Sequence, residues 1–309
     1  MKLIVTIPAY NEERSIGDVI REIPRTIDEI DRVEVLVIDD GSTDNTVEVA
    51  RNAGADHIIF HKRNLGLAKA FRDGLNAAIE LGADIIVNTD ADFQYNGTEI
   101  PKLLQPIFDG KADIVIGDRQ VDTLDHMPRG KVWGNKLATW VTRWVTGWPV
   151  RDAQTGFRAF TRDAACRMNL TGDYTYVQET LIQAANKNLT LVQVPVEFRK
   201  RDGNSRLISS LFGYATSAGK TIARSFRDYH PIQVFTWIGI ILILAGLAVG
   251  FRVLTHYFET GMVTPYLPSA VLTTVLVIVG LQAIVFGLLA DMMKTQRMLT
   301  EEILYRLKR

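Results

Sequence analysis

Two stretches near the C-terminal end restrict what this chain can fold into. Val234 to Leu254 carries one charged residue, Arg252, near its end, and Ala270 to Ala290 carries none. Each is about 21 residues long, close to the ~20 that a helix needs to cross a hydrocarbon core. Both are apolar all round rather than along one stripe, the pattern of lipid-facing helices. The link from Thr255 to Ser269 has no Lys or Arg, whereas Arg224 and Arg227 precede the pair and Lys294, Arg297, Arg306, Lys308 and Arg309 follow it. The positive-inside rule then puts both ends in the cytoplasm, with Arg252 snorkelling to the far interface. Gly246 and Gly250 form a small-xxx-small pair that can pack helices together. The expected organisation is a cytoplasmic domain over 1–230, two spans at about 233–254 and 269–291 within 231–293, and a basic cytoplasmic tail over 294–309. A multi-pass protein of the cell membrane or an endomembrane follows.

The first 120 residues read differently. Leu3 to Ile7 is a continuous apolar strand ended by Pro8, and Ile16, Val19, Ile20 and Ile23 recur at helical spacing. Val33–Ile38, His57–Phe60, Ile85–Asn88 and Ala112–Ile116 read as further strands. Helices are expected over 46–53, where Ser42 or Asp44 can act as cap, over 67–81 and over 101–109. Near-continuous apolar strands alternating with helices imply an α/β fold with a mostly parallel sheet covered on both faces. Ligands in such sheets bind at the carboxyl ends of the strands. Asn11, Asp39, Asp90 and Arg119 all follow strand ends, so they should converge on one rim.

Asp90-Ala91-Asp92 stands directly after the fourth strand. Two carboxylates at i and i+2 there suit a hard divalent cation, since magnesium or manganese bridges one or two protein carboxylates to substrate phosphates. Alone, the pair reads more readily as a turn or cap than as a metal site. Its company is Pro8-Ala9-Tyr10-Asn11-Glu12 after the first strand and Asp39-Asp40-Gly41-Ser42-Thr43-Asp44 after the second. With 35 basic and 35 acidic residues in 309, net charge gives no general case for nucleic acid as a partner. The single cysteine, Cys166, excludes an internal disulfide and reads as part of an ordinary helix face. The N-terminus runs straight into a strand, so no cleavable signal peptide is expected. The five histidines form no ligand spacing.

From Trp133 to Trp148 the pattern changes again. Trp133, Leu137, Trp140, Val141, Trp144 and Trp148 recur at three-to-four spacing, with Lys131, Lys136 and Arg143 interleaved. This is the form of an amphipathic helix in a membrane interface, expected near 131–148; the competing reading is a core helix. A second interfacial helix is expected over 207–227, where Leu207, Leu211, Tyr214, Ala218 and Ile222 form a stripe.

These motifs, with Asn64-Leu65-Gly66-Leu67, Asp90-Ala91-Asp92-Phe93-Gln94 and Gly117-Asp118-Arg119, resemble the inverting glycosyltransferases of the GT-A fold (family two). Asp152-Ala153-Gln154-Thr155-Gly156-Phe157-Arg158 and Gly203-Asn204-Ser205-Arg206 are similar to the dolichyl-phosphate or polyprenyl-phosphate sugar synthases within it. The resemblance covers roughly residues 1–230. It implies a nucleotide-sugar site lined by Pro8, Tyr10, Asn11, Glu12, Asp90, Ala91 and Gln94, with one of Asp39 and Asp40 on the base or ribose. It implies Mg2+ or Mn2+ on Asp90 and Asp92, with Asp92, Arg119 and Arg201 in catalysis. It implies an acceptor phosphate held among Arg119, Arg129, Arg199, Arg201, Ser205 and Arg206, with Arg206 where relatives carry lysine and Lys131 a softer candidate. A lipid phosphate is already anionic, so no strong general base and no histidine is required. Glu179 reads as near the sugar or as a plain helix carboxylate. Asp152 and Arg158 read as shaping the acceptor side or as an ion pair ordering a loop.

The implied reaction moves one sugar from a GDP- or UDP-sugar to dolichyl or polyprenyl phosphate with inversion, giving a β-linked product. The alternative within the family adds a sugar to a lipid-linked saccharide. A processive polymer synthase is disfavoured because the only Arg-Trp is Arg143-Trp144, with Trp140 where a glutamine would stand. A non-catalytic membrane adaptor would have lost the carboxylates or arginines. Two spans without an acid or polar break offer a transporter no path. The spans can also join protomers into a homo-oligomer.

Overall fold

The computed structural model describes residues 1–123, 129–170, 172, 176–200 and 231–308. The chain divides into two compact units, Met1–Ala223 with Ile303–Arg309, and Arg224–Glu302.

The first unit is built on strands β1 (Lys2–Ala9), β2 (Arg32–Asp39), β3 (His57–Phe60), β4 (Ile85–Asn88), β5 (Ile114–Asp118), β6 (Arg158–Thr161) and β7 (Leu191–Pro195). They form one seven-stranded sheet in the order β3-β2-β1-β4-β6-β5-β7. All neighbours are parallel except β6, which runs antiparallel to both β4 and β5. Helices α1 (Ile16–Glu22), α2 (Thr46–Asn52), α3 (Leu67–Glu80), α4 (Ile100–Phe108), α5 (Arg129–Thr146), α6 (Arg162–Arg167) and α7 (Val177–Asn186) connect or flank them. The sheet is buried on both faces, as the continuous apolar strands require. Leu3, Val5, Ile7, Val35 and Val37 pack on one side with α1 and α4; Ile4, Leu36 and Ile38 pack on the other with Phe71 and Leu75 of α3.

Pro8 does not end β1, contrary to the sequence expectation. The strand runs to Ala9, with Pro8 opposite Ile38. Thr6 accepts the Thr89 N–H on the β4 side, and pairing with β4 stops there. Pro8 faces the same side two residues on, beyond the end of β4, so its missing N–H interrupts no ladder.

In the second unit, helices α8 (Pro231–Thr260) and α9 (Leu267–Lys308) are longer than the expected spans. Only 11% of the most apolar window of each is buried, unlike the core helices of a soluble domain. Glycines bring the two backbones together. A Cβ on Gly239 would stand 2.6 Å from the Gly280 carbonyl oxygen, and one on Gly287 2.9 Å from Phe235 Cβ. Gly246 and Gly250 pack against Leu276 and Thr273, as the small-residue pair in the sequence suggested. Residues Ile303–Arg309 belong to the first unit. There Tyr305 donates to Asp163 and lies under the Arg167 guanidinium.

Candidate active site

The loops after β1, β2, β4 and β5 meet at one rim, because the four strands are co-directional. Their interlock is made of backbone N–H groups and short polar side chains. Asn11 N–H donates to Ser42 Oγ at 2.9 Å, and Thr43 N–H donates to Asn11 Oδ1 at 2.7 Å. Glu12 N–H donates to Thr46 Oγ1 at 2.8 Å. Ser15 Oγ donates to the Ala91 carbonyl at 2.7 Å, joining the first loop to the Asp90–Asp92 loop. Among the described residues, five other than glycine have positive φ, and three lie on this rim: Asn11 (54°), Phe93 (61°) and Gln120 (49°). Such strain persists only where surrounding contacts impose it, and it concentrates at functional sites.

Asp39 and Asp40 part company. Successive side chains in an extended strand point to opposite faces, and Asp40 turns to the α3 side. Its carboxylate accepts Leu65 N–H and Gly66 N–H, each at 2.8 Å, and meets His61 Nδ1 at 2.7 Å. Asp39 accepts Ser42 N–H at 3.3 Å, on the side of Asn11. Gly41 lets the two loops touch: at φ +76° its Cβ would stand 2.5 Å from the Arg63 carbonyl carbon. Tyr10 is exposed at the rim, and Pro8 is buried beneath it.

Asp90 lies against a second glycine. A Cβ on Gly156 would meet its two carboxylate oxygens at 2.8 and 3.0 Å and the Tyr176 hydroxyl at 2.9 Å. Tyr176 is itself stacked on Phe71 at 3.7 Å. Burial, then the Asp90 charge, pushes the Tyr176 phenol well up, so it stays neutral. Tyr95 is raised by burial in the same way, and its hydroxyl accepts Gly156 N–H at 3.0 Å. Asp92 accepts Gln94 N–H at 3.2 Å. Gln94 exchanges hydrogen bonds with Arg199, N–H to carbonyl at 2.8 Å and side-chain amide to carbonyl at 3.2 Å, and Tyr95 bridges Phe198. The chain entering the basic run that starts at Arg199 is therefore fastened to the Asp90–Asp92 loop. Among the described residues no group of three or more His, Cys, Asp or Glu is gathered that could hold a metal ion.

Arg119 follows β5 and pairs with Asp152, Nε at 2.6 Å and NH2 at 2.9 Å. Its guanidinium lies 5.0 Å from the Phe198 ring centre. Burial alone would raise the Asp152 carboxyl, but the Arg119 charge and hydrogen bonds from Arg119 and Asn135 hold it below its ordinary value. Asp152 therefore does not pair with Arg158, the ion pair the sequence left open. Arg158 is wholly buried and donates to the carbonyls of Thr155, Val177 and Ala153 and to Thr180. Burial brings its pKa down to about 10. Glu179 is buried in the first turn of α7 and accepts Gly172 N–H and the Gln183 amide.

Arg199 stands against Glu22 in bidentate fashion, at 3.1 and 2.8 Å, so its charge is already matched. Arg129 opens α5, and its side chain and that of Lys131 lie outside the description. Arg201, Ser205 and Arg206, and the helix expected over 207–227, lie outside the described residues. Helix α5 turns its polar residues inward: Thr139 and Thr142 are buried, and Asn135 donates to Asp152 at 3.2 Å. Its tryptophans face out, with Trp133 68%, Trp140 62% and Trp144 68% exposed. Trp148, after the helix, is partly buried against the core.

Sequence reasoning missed His61, Gly156 and Asn135. Gly156 sat inside a quoted motif and His61 three residues before another, but their partners are remote in sequence.

Residues 4–169 match the glycosyl transferase family 2. The chain is 34% identical over 224 residues to a dolichyl-phosphate hexose transferase of Haloferax volcanii, covering 72% of this chain and 92% of that protein. It is 32% identical over 218 residues to a UDP-N-acetylglucosamine–dolichyl-phosphate N-acetylglucosaminyltransferase of Methanococcus voltae, covering 63% and 85%. The structure is similar to glucosyl-3-phosphoglycerate synthase of Mycobacterium tuberculosis in complex with Mn2+, UDP and glucosyl-3-phosphoglycerate. The TM-score is 0.58 at 21% identity, covering 74% of this chain and 79% of that one.

Proposed function

We propose a reaction for this chain from one premise: it belongs to the glycosyl transferase family 2. It transfers a single sugar from a nucleotide-sugar to dolichyl or polyprenyl phosphate, with inversion at the anomeric carbon. The observation that carries this reading is the fastening of Gln94 and Tyr95 to Phe198 and Arg199. It joins the acidic loop suited to a sugar diphosphate to the start of a basic run suited to a second phosphate. Similarity to enzymes named for dolichyl phosphate supports the acceptor.

The chemistry follows from the charges. An acceptor phosphate oxygen attacks C1 of the sugar, forming the new C–O bond as the bond to the nucleoside diphosphate breaks. The diphosphate leaves with the electron pair, and the anionic nucleophile needs no proton removed. Rate then comes from alignment and from stabilising the leaving group. Tyr10, Asn11, Glu12 and Asp39 take the nucleoside; Asp40 acts on the same loop from behind. Arg119, held in one orientation by Asp152, faces the phosphates; Arg129, Arg201, Ser205 and Arg206 complete the acceptor side. Arg199 braces that segment through Glu22.

Asp90 and Asp92 fit a divalent cation of the Mg2+ or Mn2+ type. Gly156, without a side chain, lies against the Asp90 carboxylate, and a cation of this type takes most of its other ligands from phosphate and water. Such an ion would offset the charge that develops on the departing diphosphate. The exposed aromatic face of α5 lies in the membrane interface, and both chain ends are cytoplasmic.

The test is transfer in detergent from radiolabelled GDP- and UDP-sugars to dolichyl phosphate with manganese. Label should enter the organic phase, vanish with EDTA, and fall about a hundredfold or more in Asp92→Ala with membrane insertion intact. Full activity in Asp92→Ala would remove the metal. Label passing only to a lipid-linked saccharide would replace the acceptor.

A further inference from the structure

His61 is a buried titratable group that the reaction above does not use. It follows β3, and its backbone N–H donates to the Asp39 carbonyl at 2.9 Å. Its side chain is 7% exposed and stands between two carboxylates, Nδ1 at 2.7 Å from Asp40 and Nε2 at 3.1 Å from Asp73 of α3. Asp73 also pairs with Lys69 one turn earlier at 2.5 Å. Asp40 takes Leu65 N–H and Gly66 N–H on its two oxygens, so it is an acceptor throughout. Each ring nitrogen is thus hydrogen-bonded to a carboxylate from a different element. The charged groups around it are Asp40 from the loop after β2, Asp73 and Lys69 from α3, and Lys62 and Arg63 in its own loop.

We propose that His61 is a positioning residue for the donor nucleotide. It is a doubly hydrogen-bonded strut that fixes the end of β2 against α3 and so sets where Asp39 and the Asp39–Asp44 loop stand. This deepens the nucleotide-sugar reading above and rests on it. Three observations converge. Asp40 is turned away from the rim by His61 and the N–H groups of Leu65 and Gly66. The main chain of His61 is bonded to Asp39, the residue presented to the nucleoside. Gly41 leaves the two loops in backbone contact, so a shift in one moves the other. Loss of a charge-assisted hydrogen bond at a buried position frees such a loop. The ordering then comes out of the donor's binding free energy.

The full chain in detergent gives the test. Binding of UDP and of GDP with Mn2+ is measured by calorimetry, and donor and acceptor kinetics are measured alongside. In His61→Ala the nucleotide Kd and the donor KM should rise about tenfold, with kcat and acceptor KM changed less than about twofold. Added imidazole should restore part of the loss. Unchanged nucleotide binding in His61→Ala, or an equal loss for donor and acceptor, would overturn the proposal. Should that variant fail to fold, Asp73→Ala, at a position 23% exposed, should raise the donor KM about threefold; an unchanged KM would overturn the strut. If wild type binds neither diphosphate, the donor reading falls and takes this proposal with it. If wild type binds and His61→Ala binds equally, only the role of His61 falls.

Discussion

At the scale of single residues, the rim is governed by how each charge is matched. Arg119 and Asp152 are nearly sealed from water, 11% and 1% exposed, and each offsets the cost of burying the other. Removing one partner of such a pair leaves an uncompensated buried charge. Asp152→Ala should therefore lower the stability of the sheet unit by about 3–5 kcal/mol, measured by denaturant unfolding followed by near-UV circular dichroism. A change below about 1 kcal/mol, the worth of an exposed pair, would mean that water reaches Arg119. Asp152→Asn, which keeps an acceptor for Arg119, should lose less. Arg158 shows another solution, a buried guanidinium that donates to three carbonyl oxygens and the Thr180 hydroxyl, and burial lowers its pKa.

At the scale of elements, α5 is inside out relative to a core helix. Its inner face is Asn135, Thr139 and Thr142; Asn135 donates to Asp152, Thr139 Oγ1 accepts Ala153 N–H at 3.2 Å, and Thr142 donates back to the Ala138 carbonyl. Its outer face is Trp133, Leu137, Trp140 and Trp144, and indole favours the headgroup level. Replacing the three exposed tryptophans together with glutamine should spare the fold and the donor KM. In reconstituted vesicles it should remove most tryptophan quenching by brominated lipids and raise the KM for the lipid acceptor about tenfold, ~1.4 kcal/mol. Equal quenching in the variant and wild type would show that this face does not touch lipid. The amphipathic spacing was legible in the sequence, but it does not say which face is covered. Only the packing of Thr139 and Thr142 decides that.

At the scale of the whole molecule, the two edges of the sheet do different work. The carboxyl edge carries the candidate site, and the opposite edge carries an ion cluster. Glu34 is 2% exposed and meets Arg32 at 2.6 Å, Lys2 at 2.8 Å and His57 at 2.9 Å, joining the starts of β1, β2 and β3. Burial alone would raise its pKa, but hydrogen bonds from Lys2 and His57 and the charges of Lys2 and Arg32 outweigh it and hold Glu34 below 4.5. The folded state then binds fewer protons than the unfolded one in that range. The stabilisation is complete above the ordinary value and is lost as pH falls through the lower folded value. Thermal unfolding should accordingly show a steeper fall in Tm below pH 4.5 for wild type than for Glu34→Gln, which is also less stable at neutral pH. Parallel curves for the two proteins would count against this cluster as a source of acid sensitivity.

The sequence by itself determined what local pattern can determine. Continuous apolar strands specify a parallel sheet, apolar runs of span length specify the helix pair, and Asp90-Ala91-Asp92 after a strand marks the rim, because each rests on residues adjacent in the chain. The insertion of β6 between β4 and β5, and the edge strand β7, were not legible, since pairing across the sheet is a choice among distant segments. The partners of Arg119, Arg158, Arg199 and His61 were not legible for the same reason. A charge is matched by whatever the fold brings within about 3 Å. That is Asp152 for Arg119, carbonyls and Thr180 for Arg158, and Glu22 for Arg199. Composition supplies the charges, and tertiary packing alone decides which are left to meet a substrate.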